Sequence, residues 1–219
     1  MPKRVRMLAE IIGDKCTGCR LCEQVCPTVA ISMRERSAKE VGPGKLIAIM
    51  RDADCYNSQA CLEICPDEAI LMRELDEPFE VGVDMDSIDE DAVKELCKKA
   101  GYSPRREICY CTTTTAGEIA AAILEGADSP EDVSLKTGAR TGCLELCHQP
   151  ILQLLNAGGY TDMKRNPKTG FQWYGHSATL WEHTQPDGTL PAEIVEEFKM
   201  FRPDRELADM AKATQPRRK

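Results

Sequence analysis

Residues 16 to 27 read Cys-Thr-Gly-Cys-Arg-Leu-Cys-Glu-Gln-Val-Cys-Pro, and the chemistry of the chain starts from their spacing. Cys16, Cys19, Cys22 and Cys26, with Pro27 directly after, form the C-x2-C-x2-C-x3-C-P run that wraps cuboidal iron–sulfur clusters. Three thiolates on a tight loop cap three corners of one cube. The fourth sits on the following helix and points at a different cluster. Pro27 has no N–H, so the chain beyond that thiolate cannot form an ordinary backbone hydrogen bond. The alternative, a zinc site, needs only four thiolates in two pairs and no such proline.

A second run holds Cys55, Cys61 and Cys65, followed by Pro66. Laid over the first from the proline backwards, Cys65 matches Cys26, Cys61 matches Cys22 and Cys55 matches Cys16. Ser58 stands where the first run has Cys19. Over about residues 4 to 73 the chain thus resembles the two-cluster bacterial ferredoxins, with one ligand missing. In that family the fourth Cys of each run ligates the other cluster. The resemblance implies one complete [4Fe–4S] set, Cys16, Cys19, Cys22 and Cys65, and a second set of Cys26, Cys55 and Cys61. The second set is similar to the [3Fe–4S] sites of seven-iron ferredoxins and of succinate dehydrogenase iron–sulfur subunits. Soft thiolate is the preferred donor to such clusters, which favours three irons. A second [4Fe–4S] cluster stays open if Ser58, Asp54 or Asn57 supplies a fourth ligand, although a serine hydroxyl must first lose its proton. In the plainest reading Ser58 is an exposed loop residue without a role.

Cys109-Tyr110-Cys111 and Thr141-Gly142-Cys143-Leu144-Glu145-Leu146-Cys147 make a third group. A C-x-C pair, a gap and then T-G-C with a nearby Cys resemble the [2Fe–2S] domain of bacterioferritin-associated ferredoxin, over about residues 106 to 157. That small helical module also occurs inside nitrite reductases, copper chaperones and multi-subunit flavin dehydrogenases. The resemblance implies Cys109, Cys111, Cys143 and Cys147 as [2Fe–2S] ligands, with zinc as the alternative four-thiolate occupant. The family's second pair is usually C-x2-C, whereas this chain has C-x3-C. The extra residue turns Cys147 along its helix by about 100°, so the ligand loop must adjust.

The elements that would hold these groups are partly legible. Strands are expected near Met7 to Ile12, Ala30 to Arg34, Leu46 to Arg51 and Ala69 to Arg73, as two short hairpins flanking the cluster helices. Residues 36 to 45, with Gly42-Pro43-Gly44, read as a long hairpin loop. Thr115 caps a helix through Glu118, Ile119, Ile123 and Leu124 that stops at Gly126. Ser129-Pro130-Glu131-Asp132 starts another, which Thr137-Gly138 ends. Residues 143 to 156 then carry Leu144, Leu146, Ile151, Leu154 and Leu155 on an apolar face closed by Gly158-Gly159. Thiolates near helix starts are favoured by unpaired N–H groups. Ser87 and Glu90 suggest a capping box for a helix that lines up Val93, Leu96, Cys97 and Ala100, so Cys97 reads as a buried structural thiol.

The fold class expected is α+β: a two-cluster ferredoxin domain (1–73), an acidic linker with one helix (74–105), a small all-α [2Fe–2S] domain (106–159) and an irregular C-terminal docking arm (160–219). Most of the chain's aromatics fall in that arm, among them Tyr160, Trp173 and Trp181, and one helix is expected over Pro191 to Phe201. Aromatics on an extended arm are a common means of binding another protein; folding back over its own clusters is the alternative. The acidic run over 74–91 reads as a solvated linker.

The net charge of −8 across 219 residues argues against nucleic acid. No leader-like or membrane-spanning stretch is expected, and a reducing cytoplasm suits twelve cysteines with cluster spacings. His148 follows Cys147 and could tune or ligate that cluster, a solvent-facing helix position being the plainer reading; His176 and His183 show no metal-ligand pattern, and no nucleophile–base constellation or phosphate-binding loop is present. The chain therefore reads as an electron-transfer iron–sulfur subunit without substrate chemistry of its own. It would relay electrons between a larger catalytic, flavin-containing partner and an external acceptor or donor. An iron-handling or redox-sensing protein is the alternative.

Overall fold

The computed structural model describes residues 2–161, together with Met163 and Ala192. Almost all of the expected docking arm, its helix over 191–201, His176 and His183 lie outside the described residues.

The first half is built from a repeated unit. Strand β1 (Lys3–Ile11) leads to the first cysteine loop and the short helix α1 (Leu21–Val25), then β2 (Ile31–Glu35). Strand β3 (Leu46–Met50) leads to the second loop, helix α2 (Ala60–Ile64) and β4 (Ile70–Val81). The backbone repeats in detail. Gly18 and Asn57 share a positive φ (76° and 54°), as do Arg20 and Gln59 (71° and 60°) and Val29 and Glu68 (53° and 48°). Helices α1 and α2 stop at extended Cys26 and Cys65, because Pro27 and Pro66 disfavour the helical region for the residue before them.

The pairing differs from two hairpins. β2 and β3 form one, with Ile31 opposite Met50 and Glu35 opposite Leu46. The other ribbon joins the first strand to the last, with Ile11 opposite Ile70 and Lys3 opposite Val81. Its register shifts between Val5 and Met7, opposite the part of β4 that contains Pro78, which has no N–H for the ladder. β4 therefore runs on through 74–81, a stretch expected to be linker. Partnering by β1 and burial of Val81 hold it as strand. Val5, Leu8, Ile31, Ile47 and Ile70 fill the core between the ribbons, together with the cysteines.

The second half is helical: α3 (Glu90–Lys99), a small ribbon of β5 (Glu107–Cys109) and β6 (Thr114–Thr115), α4 (Ala116–Leu124), α5 (Pro130–Thr137) and α6 (His148–Ala157). Helix α4 is at its centre, with Ile119, Ala120, Ala121 and Ala122 fully buried. Its N-terminus carries the Thr115–Glu118 capping box. Ser129 caps α5, and Gly138 ends it in the left-handed conformation. Helix α3, within the stretch expected as an acidic linker with one helix, packs Val93, Leu96 and Cys97 into the same core. Its cap is Asp89, whose carboxylate accepts from the Asp91 and Ala92 amides, not Ser87, which lies in a preceding 3-10 turn. Helix α6 starts at His148 instead of 143, and Leu146 is left 71% exposed on the turn before it. Tyr160 and Met163, at the start of the expected arm, pack against the helical core.

Candidate metal centres

The first cysteine loop runs from the end of β1 into α1. Gly18 has to be glycine there, since a Cβ would lie 2.6 Å from the Leu46 carbonyl oxygen. Arg36 ties the loop to the one facing it. Its guanidinium donates to the carbonyls of Cys16 (2.8 Å), Gly13 (3.0 Å), Val41 (2.8 Å) and Gly44 (3.0 Å). Cys16, Cys19 and Cys22 line a cavity of about 330 Å³, and the fourth cysteine on its wall is Cys65 from the other loop. Ile11, Met33, Ala48 and Ile70 complete an apolar lining. Burial, with the neighbouring Cys16 and Cys19 thiolates, pushes the Cys22 thiol up to about 12. Thiolates gathered in so apolar a place repel one another and need a positively charged core between them.

The second cavity, about 310 Å³, mirrors the first. Cys55 and Cys61 line it, and Cys26 crosses over from the first loop. Burial and the Cys26 and Cys55 thiolates push Cys61 up to about 12. Backbone amides serve both crossing cysteines alike, with Ala30 donating to the Cys26 sulfur and Ala69 to the Cys65 sulfur, each at 3.3 Å. Ala9 donates to the Cys55 sulfur at 3.4 Å. Ser58 and Asn57 line the wall where the first cavity has Cys19. Asp54 is engaged elsewhere, its carboxylate 2.9 Å from the Arg51 guanidinium.

The third group assembles from both ends of the helical half. Cys109 closes β5 and Cys147 caps α6, both buried. A hydrogen bond between them holds the Cys109 thiol down at about 5 and drives Cys147 up, with burial adding to the rise. Cys111 and Cys143 are exposed neighbours, the Cys143 amide donating to the Cys111 sulfur at 3.4 Å. Gly142 makes the approach possible, since a Cβ on it would lie 2.4 Å from that of Cys111. The loop absorbs the extra residue of C-x3-C by turning at Leu144, whose φ is 65°, and by delaying the helix to His148. Cys97 stands apart, fully buried between α3 and its neighbours.

Among the described residues, no three His, Cys, Asp or Glu side chains converge closely enough to hold a single metal ion. The cysteines ring two cavities in the ferredoxin half and sit as two pairs in the helical half.

Two residues that the cysteine spacing does not single out also belong to this region. Lys3 donates to the carbonyl of Thr141 at 3.3 Å and to its hydroxyl. Arg140, just before the T-G-C run, is fully buried. A charged residue beside a ligand loop was the one available signal for Arg140; Lys3 had none.

Residues 15–69 match the family model of the 4Fe-4S dicluster domain. Residues 107–157 match that of the BFD-like [2Fe-2S] binding domain. The chain thus joins two iron–sulfur domains in tandem, and its cofactors are [4Fe–4S] and [2Fe–2S] clusters. No curated protein and no solved structure matches it. Among the described residues no helix is long and apolar enough to cross a membrane.

Proposed function

We propose that the chain is the electron-transfer subunit of an oxidoreductase complex, linking a catalytic, flavin-containing partner to an external acceptor or donor. Cys16, Cys19, Cys22 and Cys65 would hold [4Fe–4S], and Cys26, Cys55 and Cys61 would hold [3Fe–4S]. Cys109, Cys111, Cys143 and Cys147 would hold [2Fe–2S]. Bound clusters of these kinds take up and give back single electrons. The protein's own part is to exclude water with Ile11, Met33 and Ile70, and to point the Ala9, Ala30 and Ala69 amides at sulfur. Hydrogen bonds to sulfur and limited solvent exposure are what set such potentials.

One observation carries the reading. Thr141, on the ligand loop of the helical half, lines the cavity of Cys26, Cys55 and Cys61. A residue two positions before Cys143 therefore stands on the wall of a ferredoxin cavity, the closeness a relay requires. An iron-handling protein would gain nothing from that juxtaposition.

The test is anaerobic purification of the native complex. About nine irons per chain are expected, or ten if the second ferredoxin site holds four, together with a larger flavin-containing subunit. Recovery of the chain alone, carrying stoichiometric zinc in place of the helical domain's iron, would overturn the proposal.

A further inference from the structure

Arg140 lies at 0% exposure, and its Nε and Nη2 have no hydrogen-bond partner among the described residues. Among the described residues the guanidinium's hydrogen bond runs from Nη1 to the Ser134 hydroxyl at 3.4 Å. A buried guanidinium demands compensating negative charge. Glu131, itself 5% exposed, supplies part of it. The other anionic groups that act on Arg140 are the thiolates of Cys147 and Cys26, which belong to two different centres. Its backbone amide also stabilises the thiolates of Cys109 and Cys147.

Lys3 repeats the pattern from the opposite element. It reaches Thr141 from the start of β1, and the thiolates acting on it are Cys109, Cys111 and Cys55. Burial lowers it to about 8, and those thiolates counter the fall. Both cations thus stand at the helical domain's ligand loop where it meets the second ferredoxin cavity. Neither residue lines the first cavity. Thr141, bonded to Lys3 and adjacent to Arg140 in sequence, lines the second cavity two residues before Cys143.

We propose that Lys3 and Arg140 form a cationic bridge shared by the Cys26/Cys55/Cys61 centre and the Cys109/Cys111/Cys143/Cys147 centre. The bridge raises both potentials together and makes these two the adjoining centres, with the Cys16/Cys19/Cys22/Cys65 centre at the far end. This rests on the ligand reading given under the proposed function. The physical reason is simple. A cluster gains negative charge on reduction, and a fixed positive charge in a buried, low-dielectric place stabilises the reduced form.

Potentiometric titration of the full-length protein, followed by electron paramagnetic resonance, tests it. Arg140→Gln and, separately, Lys3→Gln should each disfavour reduction of both adjoining centres by about tenfold, equal to ~59 mV for one electron. The far centre should keep its midpoint. Arg140→Lys, which preserves the charge, should recover most of the loss, whereas a merely structural role would not follow charge. Unchanged midpoints in Lys3→Gln with all three signals present would overturn the bridge, as would an equal shift at all three centres. If the unaltered protein lacks one of the two signals, the ligand reading fails and the bridge falls with it.

Discussion

Ser58 occupies the place that Cys19 holds in the first loop, and the backbone around the two is the same: Asn57 and Gln59 repeat the positive φ of Gly18 and Arg20. A loop already shaped for a ligand lacks only the thiolate. Ser58→Cys should therefore convert the proposed [3Fe–4S] centre to [4Fe–4S], seen as a gain of about one iron and loss of the three-iron paramagnetic signal. Ser58→Ala should leave the three-iron signal as it was. Loss of iron in the alanine variant would instead identify the serine oxygen as a ligand. Gly142 carries a different constraint, imposed by contact rather than by torsion. Gly142→Ala places a methyl against Cys111 and should strip the [2Fe–2S] absorption, while the ferredoxin half keeps its iron.

At the scale of elements, the loop over 36–45 matters more than its irregular sequence suggests. Arg36 gathers four carbonyls from the two facing segments, that of Cys16 among them. A hydrogen bond to a charged donor is worth about 1.5–3 kcal/mol, and these four do not add, because water replaces the guanidinium at carbonyls that are half-buried or exposed. Arg36→Ala should cost about 2 kcal/mol and speed loss of iron from the first centre under air, measured as the rate of absorbance bleaching. Helix α4 depends on its cap: Thr115→Ala should cost about 1 kcal/mol, read as a lower thermal midpoint with the cluster spectra unchanged. These same elements show what was legible in advance. Cysteine spacing, the caps at Thr115 and Ser129 and the stop at Gly138 are local signals, readable one residue at a time. The pairing of β1 with β4 has no local signature, because strands far apart in sequence are joined only by the folded core. The late start of α6 escaped for a related reason. Leu144 and Leu146 fit an apolar periodicity, but the ligand loop overrides it, leaving Leu144 half-buried and turning Leu146 outward. Arg140 and Lys3 look like ordinary surface charges until tertiary packing buries them.

For the whole molecule, the two halves are joined by more than their chain connection. The Tyr56 hydroxyl donates to the Leu135 carbonyl at 2.9 Å, and Leu135 packs against the ferredoxin core. Tyr160 and Met163 finish the helical core from beyond α6. A chain ending after Met163 should thus retain all its clusters. It should nevertheless lose stable association with the proposed catalytic partner, for which the aromatic residues beyond that point are the proposed contact. Iron content and affinity co-purification measure the two outcomes separately. Normal partner binding by the shortened chain would place the contact elsewhere, and the exposed Tyr110 and Leu146 beside Cys111 and Cys143 would be the next surface to alter.

The crossing of Cys65 into the first cavity and the closing of β1 by β4 also bear on how the protein is made. A ribosome releases the N-terminal cysteines first, yet neither ferredoxin cavity has its full set until the second loop has emerged. β1 has no partner until residues 70–81 follow. During that interval the early thiols are unprotected and its strand edge is open. Cluster delivery to the ferredoxin half must therefore wait for about the first third of the polypeptide, and nascent chains arrested before residue 65 should take up no stable cube.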